Sequence, residues 1–299
     1  MTVSASTENP WGRLAEPIPA DAAAADDPVW KDNAFLAFWD SESQVFGSLH
    51  VSTSPNAPSA RRARFSVSVA GRTTEIVEPL DEGTFRSKSI DFGLDGNFTV
   101  DNAAVQAEFS TTPLFIPLDY STVDLIPALV PGKPFQHFEQ AASVTGVVRI
   151  DGTATRISAR GMRDRSSGFR EESAQWAEYA TFVAVTDTYF ISALKFLRID
   201  GTQNGHGFLV EETTATPITD LHLARNAAAQ LLWIRFDLAD GSIRTLHTRE
   251  RHGGFWVPMG PAETEGPAFG AYDDFLTLES DDGARGGGFT EQGVVHRVA

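Results

Sequence analysis

The chain has 299 residues, 41% of them hydrophobic and 21% charged, the balance of a globular protein with material for a sizeable core. Its 24 Lys+Arg stand against 40 Asp+Glu, a net charge of -16, whereas a polyanion needs clustered cations; nucleic acid and anionic membrane surfaces are excluded as expected partners. There is no cysteine, which excludes disulfides, thiolate nucleophiles and Cys-ligated zinc.

Residues 1–27 lack the basic and apolar regions of a signal peptide, and no later apolar run approaches the ~18 residues of a membrane span. They read as a flexible acidic leader on a cytoplasmic protein. From Asn33 onward the pattern is one of short alternating segments broken by Gly, Pro, Asn and Asp: "AFLAFW" (34–39), "VFGSLHV" (45–51), "RFSVSV" (64–69), "AAVQAEF" (103–109), "SVTGVVRI" (143–150) and "TATRISA" (153–159). The series continues with "TYFISALKFL" (188–197), "LLWIRFDL" (231–238) and "SIRTLHT" (242–248). Period-two alternation is the signature of antiparallel strands with one buried face, so an all-β fold is expected.

Asp-Gly pairs at 95–96, 151–152, 200–201, 240–241 and 282–283 supply the turn chemistry of hairpins, and "VRIDGTATRI" predicts one outright. Helical periodicity is scarce. "STVDLIPALVP" (121–131) is interrupted by Pro127, and "LHLARNAAAQLL" (221–232) reads equally as a short helix or as strand, loop and strand. One or two short helices are expected in all.

"HFEQAASVTGVVRI" (137–150) and "GGFTEQGVVHRV" (287–298) each join an aromatic, a Glu-Gln pair and a Val-rich strand. Such an echo suggests two similar β units, which we divide as 28–145 and 146–299. Closure of each into a barrel would remove the exposed edges of so strand-rich a chain.

No Walker-type phosphate loop, dinucleotide fingerprint, HExxH or GxSxG elbow occurs, so phosphoryl transfer, NAD chemistry and zinc proteolysis lose their usual support. Histidines stand at 50, 137, 206, 222, 247, 252 and 296, none two or four residues from another. Neither a metal nor any other cofactor is expected.

"GMRDRSSGFR" (161–170) carries a strand pattern directly into alternating charges. On a strand, Arg163 and Arg165 share one face and Asp164 takes the other. One reading is an ion-pair network between strands. The other is a polar cavity floor in which an arginine sets the ionisation of an aspartate that moves a proton. Downstream, "WAEYATF" (176–182) puts Trp176, Glu178, Ala180 and Phe182 on one face and Ala177, Tyr179 and Thr181 on the other. That is core packing, or a cavity wall with Tyr179 or Glu178 as its polar group.

The decapeptide resembles the G-x-G-x-R-D-H-S-W-G-x-R signature of the AttH / carotenoid 1,2-hydratase-like superfamily, and "FEQ" with "GVVRIDG", "YFISALKFLRIDG", "GHGFLVEE" and "NAFLAFWDSES" fit beside it. The resemblance spans most of residues 28–299 and implies two tandem lipocalin-like antiparallel β-barrels, in a group that includes enzymes acting on hydrophobic isoprenoids. Arg163, Asp164, Gly168 and Arg170 match the signature. Arg165 replaces its histidine and Ser167 its tryptophan, and arginine is a poor general acid.

The function expected is therefore a cofactor-independent lyase or isomerase that hydrates, dehydrates or rearranges a small hydrophobic, terpenoid-like alcohol or alkene in a β-barrel cavity. Asp164 is the first candidate for acid/base and Glu139 the second. Arg163, Arg165, Trp176, Tyr179 and Glu178 are the candidates for substrate binding. The competing expectation is a non-catalytic carrier of a hydrophobic ligand, which the same architecture serves. The partner expected is a small hydrophobic molecule, with no nucleic acid, no membrane span and a homodimer left open.

Overall fold

In a computed structural model the described residues are 9–123, 126, 128–133, 135–170, 176–259 and 268–297. Among them the fold is all-β, with no α-helix and three short 3₁₀ turns. No helix there is long and apolar enough to cross a membrane.

The first unit is a curled, open antiparallel sheet. It comprises β1 (Trp30–Asp40), β2 (Val45–Thr53), β3 (Arg62–Val69), β4 (Arg72–Glu78), β5 (Ile90–Phe92), β6 (Asn97–Asp101), β7 (Gln106–Pro113), the short β8 (Leu118–Asp119), β9 (Phe135–Ile150) and β10 (Thr153–Phe169). Their order is β4-β3-β2-β1-β10-β9-β7-β6-β5, with β8 on β9. Glu78, at the end of β4, accepts hydrogen bonds from the Ser87 and Ser89 hydroxyls and the Ser89 amide, and so ties the two open edges together.

The second unit closes completely. It runs β11 (Trp176–Thr186), β12 (Tyr189–Arg198), β13 (Gln203–Glu211), β14 (Thr214–Arg225), β15 (Leu231–Leu238), β16 (Ile243–Met259), β17 (Ala268–Ser280) and β18 (Arg285–Arg297), and β18 returns to pair with β11. All five Asp-Gly pairs join consecutive strands. At Asp151-Gly152 both φ angles are positive, 50° and 78°, the conformation a two-residue hairpin turn requires. "LHLARNAAAQLL" resolves as strand, loop and strand. "STVDLIPALVP" contributes a 3₁₀ turn at Tyr120–Val123, and its residues 124, 125 and 127 lie outside the described set.

Two expectations are corrected by the packing. Pairing of β10 with β9 continues to Gly168 and with β1 to Phe169, so the passage between the units lies between Phe169 and Trp176 rather than at 145/146. The reading of residues 1–27 as a loose leader fails from Trp11 onward. Trp11 and Leu14 are both 1% exposed in the core of the curled sheet, with Leu36, Phe38, Phe65, Phe98 and Phe109. Full burial of such a side chain contributes about 1.5–3 kcal/mol, enough to hold the segment down.

Between the two units lies a shared seam. β1 sends Ala34, Leu36 and Phe38 into the curled sheet's own core and Ala37 and Trp39 outward, where they meet Val183, Phe190, Phe275 and Phe289 of the barrel's outer face. The strands at the seam are therefore buried on both faces, which explains the continuous burial of residues 36–40 and 189–194. The barrel's interior is a separate core built on Ile191, Leu209, Ile234, Phe236 and Leu278.

Candidate active site

The cavity lies in the seam, not inside a barrel as the sequence led us to expect. It has a volume of about 120 Å³ and is walled by both units. Phe35, Met162, Trp176, Leu194, Phe196 and Phe289 supply the apolar surface.

The first polar wall comes from the β9–β10 hairpin. Its register sets Asp164 opposite Glu139, and alternation brings His137 to the same face, two residues from Glu139. His137 Nε2 lies 2.7 Å from Glu139 Oε1 and 3.4 Å from Asp164 Oδ2. Ser192 of β12 donates its hydroxyl to the other oxygen of Glu139. The Tyr120 hydroxyl in turn lies 2.6 Å from Ser192 Oγ and 3.0 Å from the Ser192 carbonyl oxygen. A continuous line of hydrogen-bonding groups thus runs Tyr120, Ser192, Glu139, His137 and Asp164 across the seam.

Burial pushes the Asp164 carboxyl up to about 7, with the charges of Glu139 and Glu291 acting in the same direction and those of His137 and Arg170 opposing. Burial lowers the His137 pKa, but the Asp164 and Glu139 carboxylates outweigh it and the net direction is upward. Tyr120 is driven well above its ordinary range by burial and by Glu139 and stays protonated. His50, edge-on to Phe35 at 5.8 Å, is pushed down to about 3 by burial and by neighbouring cations, so it lines the cavity as a neutral ring.

The opposite wall belongs to the barrel. Tyr179 donates its hydroxyl to Glu291, and Asp273 sits directly across from Glu291 in the β17–β18 register. Burial raises both acids: Asp273 goes well above its ordinary range, with Glu291 adding to the rise, while at Glu291 hydrogen bonds to Tyr179 and Asp273 oppose the burial.

Of the residues singled out from sequence, Asp164, Glu139, Trp176 and Tyr179 line the cavity together. Arg163, Arg165 and Glu178 do not, and their expected role in substrate binding is corrected. Arg163 points into the curled sheet, its guanidinium 4.2 Å from the Trp11 ring and also facing Phe92 and Phe98. Arg165 makes a bidentate pair with Asp32 at 3.1 and 2.7 Å and donates to the carbonyls of Leu14, Glu16 and Pro17. The ion-pair reading is right for Arg165 and not for Arg163, which packs on aromatic rings, and both hold the N-terminal segment in place. Glu178 faces away, to Arg225 at 3.3 Å.

The arginines that reach the cavity are Arg64 and Arg170, of which Arg170 belongs to the signature segment. Arg170 donates to Ser166 Oγ at 2.6 Å and lies over the Phe135 ring. Sequence reasoning also missed His137, Asp273, Glu291, Tyr120 and Ser192. A signal existed for Glu291: the two echoed Glu-Gln pairs place Glu139 and Glu291 on opposite walls of one cavity.

His137 Nε2 and one oxygen each of Glu139 and Asp164 lie within 4.8 Å of one another, near enough to gather around a divalent cation. Such an ion would have to replace the 2.7 Å His137–Glu139 hydrogen bond. The residues as they stand form a proton-transfer array.

Residues 20–293 match the family described as a domain of unknown function, DUF7064. No match to a curated protein sequence is found. Among solved structures, CghA superposes with a TM-score of 0.66 at 12% identity, over 95% of this chain and 96% of that one. A putative AttH from Nitrosomonas europaea gives 0.62 at 13% identity, over 93% and 96%. Kievitone hydratase from Nectria haematococca gives 0.55 at 13%, over 91% and 90%. The fold is therefore the AttH / carotenoid 1,2-hydratase-like one, as the signature at 161–170 implied.

Proposed function

The chain belongs to the DUF7064 family, and we propose that it is a cofactor-independent lyase or isomerase that hydrates, dehydrates or rearranges a small hydrophobic alcohol or alkene, a terpenol being the model substrate. One observation carries this reading: a carboxyl held at about 7 stands on the wall of a largely aromatic cavity, beside a histidine whose pKa is also raised. A carboxyl poised near the working pH both donates and accepts a proton efficiently.

In dehydration, protonated Asp164 gives its proton to the substrate hydroxyl and the C–O bond breaks as water leaves. The cationic carbon is faced by Trp176 and Tyr179, whose rings pack 5.4 Å apart and whose π faces attract positive charge. The proton on the adjacent carbon then passes to the Asp164 carboxylate, its electron pair forms the alkene, and the acid is regenerated. Glu139 and Asp164 face the same His137 nitrogen, Nε2, at 2.7 and 3.4 Å, so the imidazole spans the two carboxyls. Hydration is the same path reversed.

The occurrence of a hydratase on this fold, kievitone hydratase, is consistent with this chemistry. The test is turnover of geraniol, nerol and linalool, followed by gas chromatography. Wild-type protein is expected to convert at least one of them, before and after dialysis against EDTA, and Asp164→Asn to bind it without converting it. Binding with no turnover by the wild type would make the protein a carrier. Turnover undiminished in Asp164→Asn would remove the aspartate from the chemistry, and turnover lost with EDTA would replace the acid–base scheme with a metal-dependent one.

A further inference from the structure

The curled sheet sets one row of side chains straight across the cavity. Register pairs His50 on β2 with Phe35 on β1, Phe35 with Asp164 on β10, and Asp164 with Glu139 on β9, and residues paired in this way project from the same face. Proton transfer as proposed above uses Asp164 and Glu139, at one end of that row. His50, at the other end, lines the same cavity and keeps accessible surface. Neither of its ring nitrogens has a hydrogen-bond partner among the described residues; its packing partner is the Phe35 ring. Asn33, two residues from Phe35 and so on the same face, also lines the cavity, and its buried Oδ1 has no partner either. Buried polar groups are almost always hydrogen-bonded, so two unmet groups on one cavity wall point to an atom that arrives with a ligand.

The two groups restrict what that atom is. Burial and the cations Arg170, Lys31, Arg64 and Arg62 keep His50 neutral, and a neutral imidazole has one N–H donor and one acceptor nitrogen. A hydroxyl matches this pair of groups, since it accepts from the ring while donating to the ring or to Asn33 Oδ1. A carboxylate only accepts, and it would add charge to a cavity that holds Glu139, Asp164, Asp273 and Glu291. An ammonium only donates, and it would be repelled by the cations that depress the ring. Neighbouring strands lie about 4.8 Å apart, so the His50 backbone stands roughly 10 Å from that of Asp164, with Phe35 as the apolar floor between them.

We propose that His50, with Asn33, is a specificity site of the cavity, which takes an uncharged hydroxyl of the ligand roughly 10 Å from the group facing Asp164. This deepens the function proposed above and rests on it for what happens at the Asp164 end. The substrate class becomes a hydrophobic alcohol or alkene that carries a second, remote hydroxyl.

The test is calorimetric titration of the full chain at neutral pH with geraniol, with 8-hydroxygeraniol, whose hydroxyls sit at opposite ends of the molecule, and with the analogues that carry a carboxyl or an amino group in place of the 8-hydroxyl. Wild-type protein is expected to bind the diol roughly tenfold more tightly than geraniol, and the acid and the amine less tightly than the diol. His50→Leu should remove the diol's advantage while geraniol still binds. His50→Gln, which keeps a donor and an acceptor, should retain more of it. Equal affinity for geraniol and the diol, binding of neither, or tighter binding of the acid or the amine overturns the proposal. So does an advantage that survives in His50→Leu.

If His50→Leu fails to fold, wild-type protein labelled with ¹⁵N-histidine decides, its His50 ring nitrogens identified by their absence in His50→Gln. They should move more on addition of the diol than on addition of the hydrocarbon 2,6-dimethyl-2,6-octadiene, and equal movement overturns the proposal. Asp164→Asn separates this site from the reaction, since the diol's advantage should persist there. Absent turnover with the advantage intact counts against the proposed function alone, and turnover with no advantage counts against His50 alone.

Discussion

The barrel's interior and the seam outside it are built from the same strands and have opposite characters. The interior packs Ile191, Leu209, Ile234, Phe236 and Leu278 against one another. The seam combines Phe35, Trp176 and Phe289 with His137, Glu139, Asp164, Asp273 and Glu291. Closure explains the division: a closed barrel satisfies its own backbone and fills its own middle, so its outer face is free to serve as a rigid wall. The curled sheet repeats the arrangement along β10, where Arg163 and Arg165 on the inner face hold the N-terminal segment and Asp164 on the outer face meets the cavity. Stability resides on the inner faces and chemistry on the facing outer ones.

The largest effect expected from that division is on turnover. Asp164→Asn removes the titrating proton while keeping the side chain's shape, so turnover should fall by about 10²–10⁴-fold, with thermal unfolding at neutral pH no earlier than in the wild type. Asp32→Ala, on the neighbouring strand β1, acts on the other face of β10. It strands Arg165, 5% exposed, without its carboxylate, and breaking one partner of a buried pair costs about 3–5 kcal/mol. The melting temperature should drop accordingly, while turnover per folded molecule holds. If turnover of the folded fraction collapses instead, the two faces of β10 do not work separately.

The sequence displayed the strands, the turns and the alternation at 163–165 that sends Asp164 away from its arginines, because these are local and period two is explicit. It could not display that the outer faces of two units meet. A residue such as Ala37 or Phe190 has the same alternation whether its second face touches solvent or another sheet, and only the unbroken burial of its strand reveals the partner. His137 stood in view as an isolated histidine. Its place at i−2 from Glu139 on one strand face was the signal that could have joined it to the site. Asp273 and Glu291 share a cavity with Asp164 from more than a hundred residues further along the chain, and nothing local announces that.

The pH dependence of stability sharpens the comparison further. Asp164 has a folded pKa of about 7 against 3.8 in the unfolded chain, and a raised pKa means stability that is fully present below 3.8 and lost as pH rises through about 7. His137, also raised, contributes with the same sign, its share lost as pH rises above its ordinary 6.5. His50, held down to about 3, acts with the opposite sign between about 3 and 6.5, but it is common to the wild type and Asp164→Asn. The Asp164 contribution is therefore read as the wild-type melting temperature minus that of Asp164→Asn, which should fall across that window. Asp164→Asn removes the first contribution and weakens the second, because the aspartate charge is a principal reason that His137 is raised. Its curve should therefore gain on the wild type's as pH rises. Parallel curves for the two proteins would mean that the raised carboxyl lies elsewhere in the seam.

The smallest effect tests how well the two regions are insulated. On β12, Ile191 points into the barrel and its neighbour Ser192 points into the seam, where it bridges Tyr120 and Glu139. Ile191→Val deletes one buried methyl group and should cost about 0.5–1.5 kcal/mol, visible as a small fall in melting temperature. Because a packed interior transmits strain, the cavity is unaffected only if the β12 backbone is pinned from its other side, and the Tyr120 hydroxyl 3.0 Å from the Ser192 carbonyl supplies that pin. Ligand affinity and the pH midpoint of turnover should therefore stay at their wild-type values in Ile191→Val. In Ser192→Ala, which leaves the interior intact but cuts the hydroxyl link to Glu139, the midpoint should move while the melting temperature changes little. An Ile191→Val protein whose turnover midpoint shifts as far as that of Ser192→Ala would show that the barrel core tunes the site, and the separation of inner from outer faces would fail.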